Sequence, residues 1–395
     1  MSTFGALNTA YRGLTAAQQG MNVAGQNIAN AATNGYTRQR VDQSSIAAPA
    51  QGLWGTGQPI AGQGVSVDGI NRLGSSMLDS KVRSAGAQAG FASTRSTALQ
   101  GIEGVLNEPG ENGISAALQD FWSGWQGVAN HPGESAPAGQ LLSAANTLTG
   151  KITSAYQALD GQWTDVRQQA VDAVATVNDA ATQVAGYNVA IRSTIAAGGS
   201  ANELIDARAK LTETIARLAG GTVREQADGT VDVHVGGNAL VMGGTVRTLK
   251  LEGAASMAQA AGSPVQLEWA DRPGAAVGLD GGQIAGGLSM LAPAKNGSGG
   301  PIAEAAASYN SLAEKLRDDV NTLHNGGTTS SGGTAGDFFA TSAGRPAALG
   351  ISVLPNNTAA IAVAPPWQVP VTAAWRTGFR SSAPVRAPPM RPGRK

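Results

Sequence analysis

Between Ile152 and Ile195 one largely apolar pattern never falls out of step. Ile152, Tyr156, Leu159, Trp163, Val166, Ala170, Val174, Val177, Ala181, Val184, Asn188, Ile191 and Ile195 follow one another at intervals of three or four, the spacing that places side chains on one stripe of an α-helix. If continuous from about Leu141 to Ile195, such a helix is roughly 80 Å long at ~1.5 Å per residue, longer than a compact domain is wide. A chain built around it is expected to be an elongated, multi-domain α+β protein rather than a single globule.

A second stripe opens the chain. From Leu7 the seam continues through Ala10, Leu14, Ala17, Met21, Ala24, Ile28 and Ala31, alternating large and small apolar residues in a heptad pattern. The alanines let two helices approach closely, and Gly13, Gly20 and Gly25 beside the stripe permit the same. Each interior glycine costs a helix roughly 0.8–1 kcal/mol relative to alanine. The helix is therefore expected to be marginal alone and to order against a partner, within this chain or in another subunit. Asn34-Gly35 is its expected stop, because Asn and Gly tolerate the left-handed conformation of a helix C-terminus.

The remaining pattern divides the chain. Residues 1–72 hold the first helix and an extended segment in which Val65 and Val67 alternate like a short strand. Residues 73–220 read as helices at about 73–106, 114–130, 141–195 and 201–219, forming a coiled-coil stalk. The period then changes, with Val231, Val233 and Val235 alternating with Thr230, Asp232 and His234 behind an Asp228-Gly229 hairpin turn. Residues 221–290 are expected to be a β-rich insertion, residues 291–325 the returning helix of the stalk, and 326–395 a loop followed by a disordered tail.

Composition excludes several classes of function. The chain has 395 residues, 42% of them hydrophobic, which suffices for real cores, and it has no cysteine, so disulfide scaffolds and thiolate metal sites are ruled out. No apolar run approaches the ~20 residues needed to cross a bilayer, and no basic segment leads into an apolar core at the N-terminus. His131, His234 and His324 are the only histidines, none spaced with a second ligand, and they read as loop or strand-surface residues. Gly150-Lys151 lacks the rest of a phosphate loop, and the glycines at 55, 57, 62 and 64 form no dinucleotide fingerprint. No enzyme, cofactor, metal, nucleic acid or membrane is indicated.

What remains is assembly. The run "NTAYRGLTAAQQGMNVAGQNIANAATNGYTRQRV" resembles the N-terminal signature of bacterial flagellar axial proteins, and "GYTRQ" is most similar to the hook-associated protein 1 family. Downstream, "NELIDARAKLTETIARLAGGTVREQADGTVDVHVGGNALVMGG", "GGQIAGGLSML", "YNSLAEKLRDDVNTLHNGG" and "AGDFF" resemble that family's internal segments, in order, to roughly Val363. The resemblance implies a secreted structural protein of the bacterial flagellum, exported unfolded and polymerised into a ring at the hook tip. Its implied partners are the hook protein, the second junction protein and an export chaperone. Leu7, Ala10, Leu14, Ala17, Met21, Ala24 and Ile28 would pack the inner tube. Asn27, Asn30, Asn34 and Gly35 would terminate the helix, with Tyr36 and Arg38 where the chain leaves it. Another rod or hook component is the near alternative, and a secreted wall hydrolase the distant one.

The C-terminus departs from that family. Members end in a second heptad helix that pairs with the first, in the region where the chaperone docks. Here the last acidic residue is Asp337; beyond it lie seven of the 27 basic residues and nine of the 18 prolines. Residues 1–337 thus carry a formal charge of −7, and the rest +7. Interior prolines cost a helix about 3 kcal/mol each, so no heptad helix is expected. The tail reads as a shifted reading frame or a degraded end, lacking both the partner helix and the chaperone site.

Overall fold

The computed structural model describes residues 3–47 and 62–364; the proline- and arginine-rich tail, and with it the expected loss of a partner helix and chaperone site, lies outside the described residues. In chain order the elements are α1 (Thr3–Ala29), β1 (Gln39–Ser45), β2 (Val65–Arg72), α2 (Ser76–Leu106), α3 (Ile114–Asn130), α4 (Ser135–Ala196) and α5 (Asn202–Ala219). Then come β3 (Thr222–Glu225), β4 (Val231–Val235), β5 (Asn238–Met242), β6 (Thr245–Val246), β7 (Leu249–Glu252), β8 (Gln266–Trp269) and β9 (Arg272–Ala276). The last are α6 (Gly282–Leu291), α7 (Pro301–His324), β10 (Thr328–Thr329), β11 (Phe339–Ala340), α8 (Ala347–Gly350), β12 (Ser352–Val353) and β13 (Ala362–Ala364).

The period-of-3.6 stripe is one uninterrupted helix. α4 has 62 residues, roughly 90 Å at 1.5 Å per residue. Every stripe residue from Ile152 to Ile191 is buried, and only Ile195, in its last turn, is largely exposed. Burying a stripe of this kind, at about 1.5–3 kcal/mol for each large side chain, is what holds so long a helix together.

Two compact units share the long helices. The first comprises residues 1–94, 169–252 and 266–287. It contains the β1-β2 hairpin, the antiparallel sheet β3-β4-β5-β6 and the sheet β7-β8-β9. Val231, Val233 and Val235 face its core, as their alternation requires, and β3 pairs antiparallel with β4, Val223 opposite Val233 on the core side and Arg224 opposite Asp232 on the other. Tight approaches between helices are made at glycine. A Cβ on Gly90 of α2 would meet the Arg217 carbonyl and the Gln283 backbone, and one on Gly286 of α6 would sit 2.8 Å from the Phe91 carbonyl.

The second unit comprises residues 95–168, 253–265 and 288–395. Its centre is aromatic: Phe121 and Trp125 of α3 pack with Phe338 and Phe339, ring centroids 5.2–6.0 Å apart. Trp163 of α4 is fully buried and donates its indole N–H to the Leu291 carbonyl at 3.1 Å.

Three expectations change here. α6 forms within the stretch read as β-rich: its glycines weaken helix propensity, but they are what lets α6 lie against α2, and fully buried Ile284, Met290 and Leu291 anchor it. Residues 326–364, read as loop, hold β10–β13 and α8, short elements fixed by the buried Phe338 and Phe339. His324 is not a surface residue: it is fully buried at the end of α7, where Trp125 and Phe338 pack edge-on against it and burial pulls its pKa below the ordinary histidine value. Among the described residues no helix is long and apolar enough to cross a membrane.

Candidate assembly face

α1 turns one narrow face inward and leaves most of its surface, polar and apolar, exposed. It packs on β1 and β2 through Ala16 and Val23, the two buried apolar residues of the helix, and through polar neighbours. Arg12 donates to the Gln63 carbonyl at 3.3 Å, and Thr9 lies against Gly64. The heptad stripe points the other way: Leu7 is 68% exposed, Leu14 57%, Met21 67% and Ile28 78%, with Phe4 and Tyr11 exposed beside them. Ala10, Ala17 and Ala24, the small members of the same stripe, are exposed as well. Six large apolar or aromatic side chains thus lie exposed along one helix, the kind of patch that marks an interaction surface.

The signature residues are not all helix terminators. α1 ends at Ala29, a turn and a half before Gly35, because Asn30 and Thr33 divert the chain into consecutive turns; Asn30 donates to the Gln26 carbonyl at 3.1 Å and Thr33 to Asn30 Oδ1 at 3.2 Å. Gly35, with φ of +76°, makes the left-handed turn. Asn34 is exposed. Asn27 instead lies inside the helix and reaches across to the strand: its Nδ2 donates to the Gln39 carbonyl at 2.9 Å, and its Oδ1 accepts from Gln39 N–H at 2.8 Å and from the Tyr36 hydroxyl at 3.0 Å. Arg38 leaves its side chain exposed, while its carbonyl accepts from Leu73 N–H at 2.8 Å and starts the chain toward α2.

The turn rests on residues that reading for stripes passes over. Four side chains from the first turns of α5 hold it. Asn202 donates to the Ile70 carbonyl at 2.8 Å, Glu203 accepts from Gln39 Nε2 at 3.2 Å, Asp206 accepts from Thr37 N–H at 3.0 Å, and the Lys210 aliphatic chain covers Gly35. Arg72, at the end of β2, approaches Asp206 at 2.7 Å as an ion pair and donates to Thr37 Oγ1 at 2.7 Å. Burial, then the Asp206 and Glu203 carboxylates, raise the Tyr36 hydroxyl above its ordinary pKa. The spacing 202, 203, 206, 210 lies on one helical face and was visible in "NELIDARAK"; which distant segment it would meet was not.

A smaller apolar strip begins α2, where Met77, Leu78 and Val82 are each more than half exposed and Leu73 just precedes them.

Residues 99–339 match the family model described as the flagellar hook-associated protein FlgK helical domain. Flagellar hook-associated protein 1 of Bacillus subtilis is 27% identical over 369 residues, 86% of this chain and 70% of that protein. Its Salmonella typhimurium counterpart is 30% identical over 246 residues, 62% of this chain and 43% of the relative. For the Escherichia coli protein the figures are 27% identity, 87% and 61%. Among solved structures, the flagellar hook junction protein FlgK from Burkholderia pseudomallei superposes with a TM-score of 0.53 at 25% identity, covering 67% of this chain and 47% of that one. The chain thus spans about half to two thirds of the length of most of these relatives. With that family model matched over more than half of the chain, the chain belongs to the family of flagellar hook-associated protein 1.

Proposed function

We propose that this chain is a structural subunit of the bacterial flagellum that is exported unfolded, orders at the hook tip and joins hook to filament in a ring of copies. The observation that carries the reading is the outward apolar face of α1. Water-facing Leu, Met and Ile at heptad spacing favour burial in a helix bundle, at about 25 cal/mol per Å² covered.

The glycines of α1 support the same reading. A Cβ added at Gly13, Gly20 or Gly25 would meet nothing within 4 Å. Among the described residues no contact requires them, although each weakens the helix by close to 1 kcal/mol. Close approach of a neighbouring helix, and a helix loose enough to travel unfolded, both use them. In this scheme residues 1–72 form the inner axial segment, 73–220 with 291–325 the stalk, and 221–290 the insertion. Leu7, Ala10, Leu14, Ala17, Met21, Ala24 and Ile28 make the packing face, and Asn27, Asn30, Asn34, Gly35, Tyr36 and Arg38 the turn behind it. The partners are further copies, the hook protein, the second junction protein and an export chaperone. The role is structural, not enzymatic.

The test is expression of the full chain, epitope-tagged in the β-rich segment, in a bacterium deleted for its own hook-associated protein 1. Gold label confined to the hook–filament boundary with restored swimming is the expected result. Label along the rod or hook would move the chain to another axial position. Secretion followed by clearing of peptidoglycan in a zymogram would replace the structural reading with an enzymatic one.

A further inference from the structure

α1 packs on the hairpin, and the hairpin's two feet meet α5. Thr37 precedes β1 and Arg72 closes β2, and one carboxylate takes both: Asp206 Oδ2 accepts Thr37 N–H at 3.0 Å and Oδ1 faces Arg72 Nε at 2.7 Å. Arg72 Nη2 completes the triangle on Thr37 Oγ1 at 2.7 Å. The pair is largely shielded from solvent, with side-chain exposures of 18% for Arg72 and 8% for Asp206. A charge pair held away from water in fixed geometry specifies orientation more than it adds stability, because desolvation offsets most of the attraction.

We propose that Asp206 is the positioning residue of the N-terminal arm: by gripping both feet of the hairpin it sets the direction in which α1 presents its apolar face. This rests on the reading of that face as the assembly surface. The backbone N–H of Thr37 has a fixed direction, so an acceptor on α5 locks the rotation of the strand about its foot. The guanidinium of Arg72, fixed by Thr37 and Asp206 together, locks the second strand against the first. α1 then follows, because Asn27 ties it to Gln39 two residues beyond Thr37. Mispositioning the arm leaves the helix formed and misaims the stripe.

The chain has no cysteine, so spin labels can be placed freely. Gln26→Cys on α1 and Glu213→Cys on α5, both exposed positions, report arm orientation in the dilute, unassembled full chain by pulsed dipolar spectroscopy. The unsubstituted pairing should give one narrow distance distribution. Asp206→Ala should broaden and shift it, and Asp206→Asn, which keeps the shape of the side chain, should do the same if the alanine variant folds poorly. The double variant Asp206→Ala/Arg72→Ala removes the stranded guanidinium, so its melting temperature should recover while the distribution stays broad. A distribution unchanged in the single variants overturns the proposal. So does one that narrows again in the double variant, since Asp206 would then only neutralise Arg72. The distances are read without assembly, so failure of the junction assignment would show in the labelling experiment and not here.

Discussion

Asn188 on α4 and Val231 on β4 exchange two hydrogen bonds, side-chain amide to backbone: Nδ2 donates to the Val231 carbonyl at 2.8 Å and Oδ1 accepts its N–H at 3.0 Å. The remaining capacity of the amide is used by the Gly243 carbonyl at 2.7 Å and by Arg208 Nη1 at 2.9 Å. The same two-bond exchange recurs between Asn178 and Leu249, between Asn321 and Phe339, and between Asn27 and Gln39. In each case a helical asparagine behaves as one residue of a missing strand and satisfies backbone groups that would otherwise be buried and unpaired.

Asn188→Ala should therefore cost far more than an ordinary truncation. It strands the Val231 backbone and leaves Arg208, whose pKa burial already pulls down to about 10, without one of its acceptors. A loss of about 3–5 kcal/mol is expected in urea unfolding. Asn188→Leu, which refills the volume, should recover little of it; a loss below about 1 kcal/mol for either variant would mean that water replaces the amide.

Gly35→Ala tests the turn. Its φ of +76° disfavours any L side chain, and the new methyl would press on the Lys210 chain. The expected cost is about 1–2 kcal/mol. Lys210→Ala in the same chain should return only the steric part, so a full recovery in the double variant would show that backbone strain is not the cause.

These residues mark where sequence reading succeeds and stops. The stripe of α4 was legible because one periodic signal repeated thirteen times along the chain, and Asn188 appeared in it as a member at the right spacing. Its bonds to Val231 and Arg208 join segments far apart in sequence, and periodicity carries no such information. α6 was missed for the complementary reason: Gly286 and its neighbours lower local propensity, and their benefit appears only against Phe91. On α1 the seam residues could be identified, but not which side of the helix the chain itself would use. Ala16 and Val23, apolar residues outside the heptad, turn inward instead. For the turn, the partner face on α5 consists of common polar residues whose meaning depends wholly on Thr37, Gln39 and Arg72 being nearby.

His324 should make the stability of the second unit fall in mild acid. Its Nδ1 faces the Gly336 carbonyl at 2.5 Å and its Nε2 accepts Ala362 N–H at 3.2 Å, which fixes the neutral ring. Burial lowers its folded pKa despite the opposing influence of Gly336 and Asp337. The unfolded chain then binds the proton more readily. The contribution is complete above about pH 6.5, declines as pH falls below that value by at most about 1.4 kcal/mol per unit, and levels off beneath the folded pKa. The lowered carboxylates, such as Asp228 and Glu304, act in a separate window, losing their contribution only below their ordinary values. Urea titrations at pH 8 and pH 5.5 should differ for the unsubstituted chain, and the difference should shrink in His324→Asn. An equal difference in both would assign the effect to other groups.

Finally, the two faces of α1 should respond oppositely to the same substitution. Leu14→Asp and Met21→Asp place a charge where the side chain already meets water, so stability of the isolated chain should change by no more than about 0.5 kcal/mol. Ala16→Asp and Val23→Asp force a carboxylate into the contact between α1 and the hairpin and should detach the helix at a cost of about 2–4 kcal/mol. In sedimentation at rising concentration, Leu14→Asp and Met21→Asp should abolish self-association while the circular dichroism spectrum stays that of the folded chain. Wild-type association in these two variants would remove the outward stripe from the interface, whatever part of the flagellum the chain occupies.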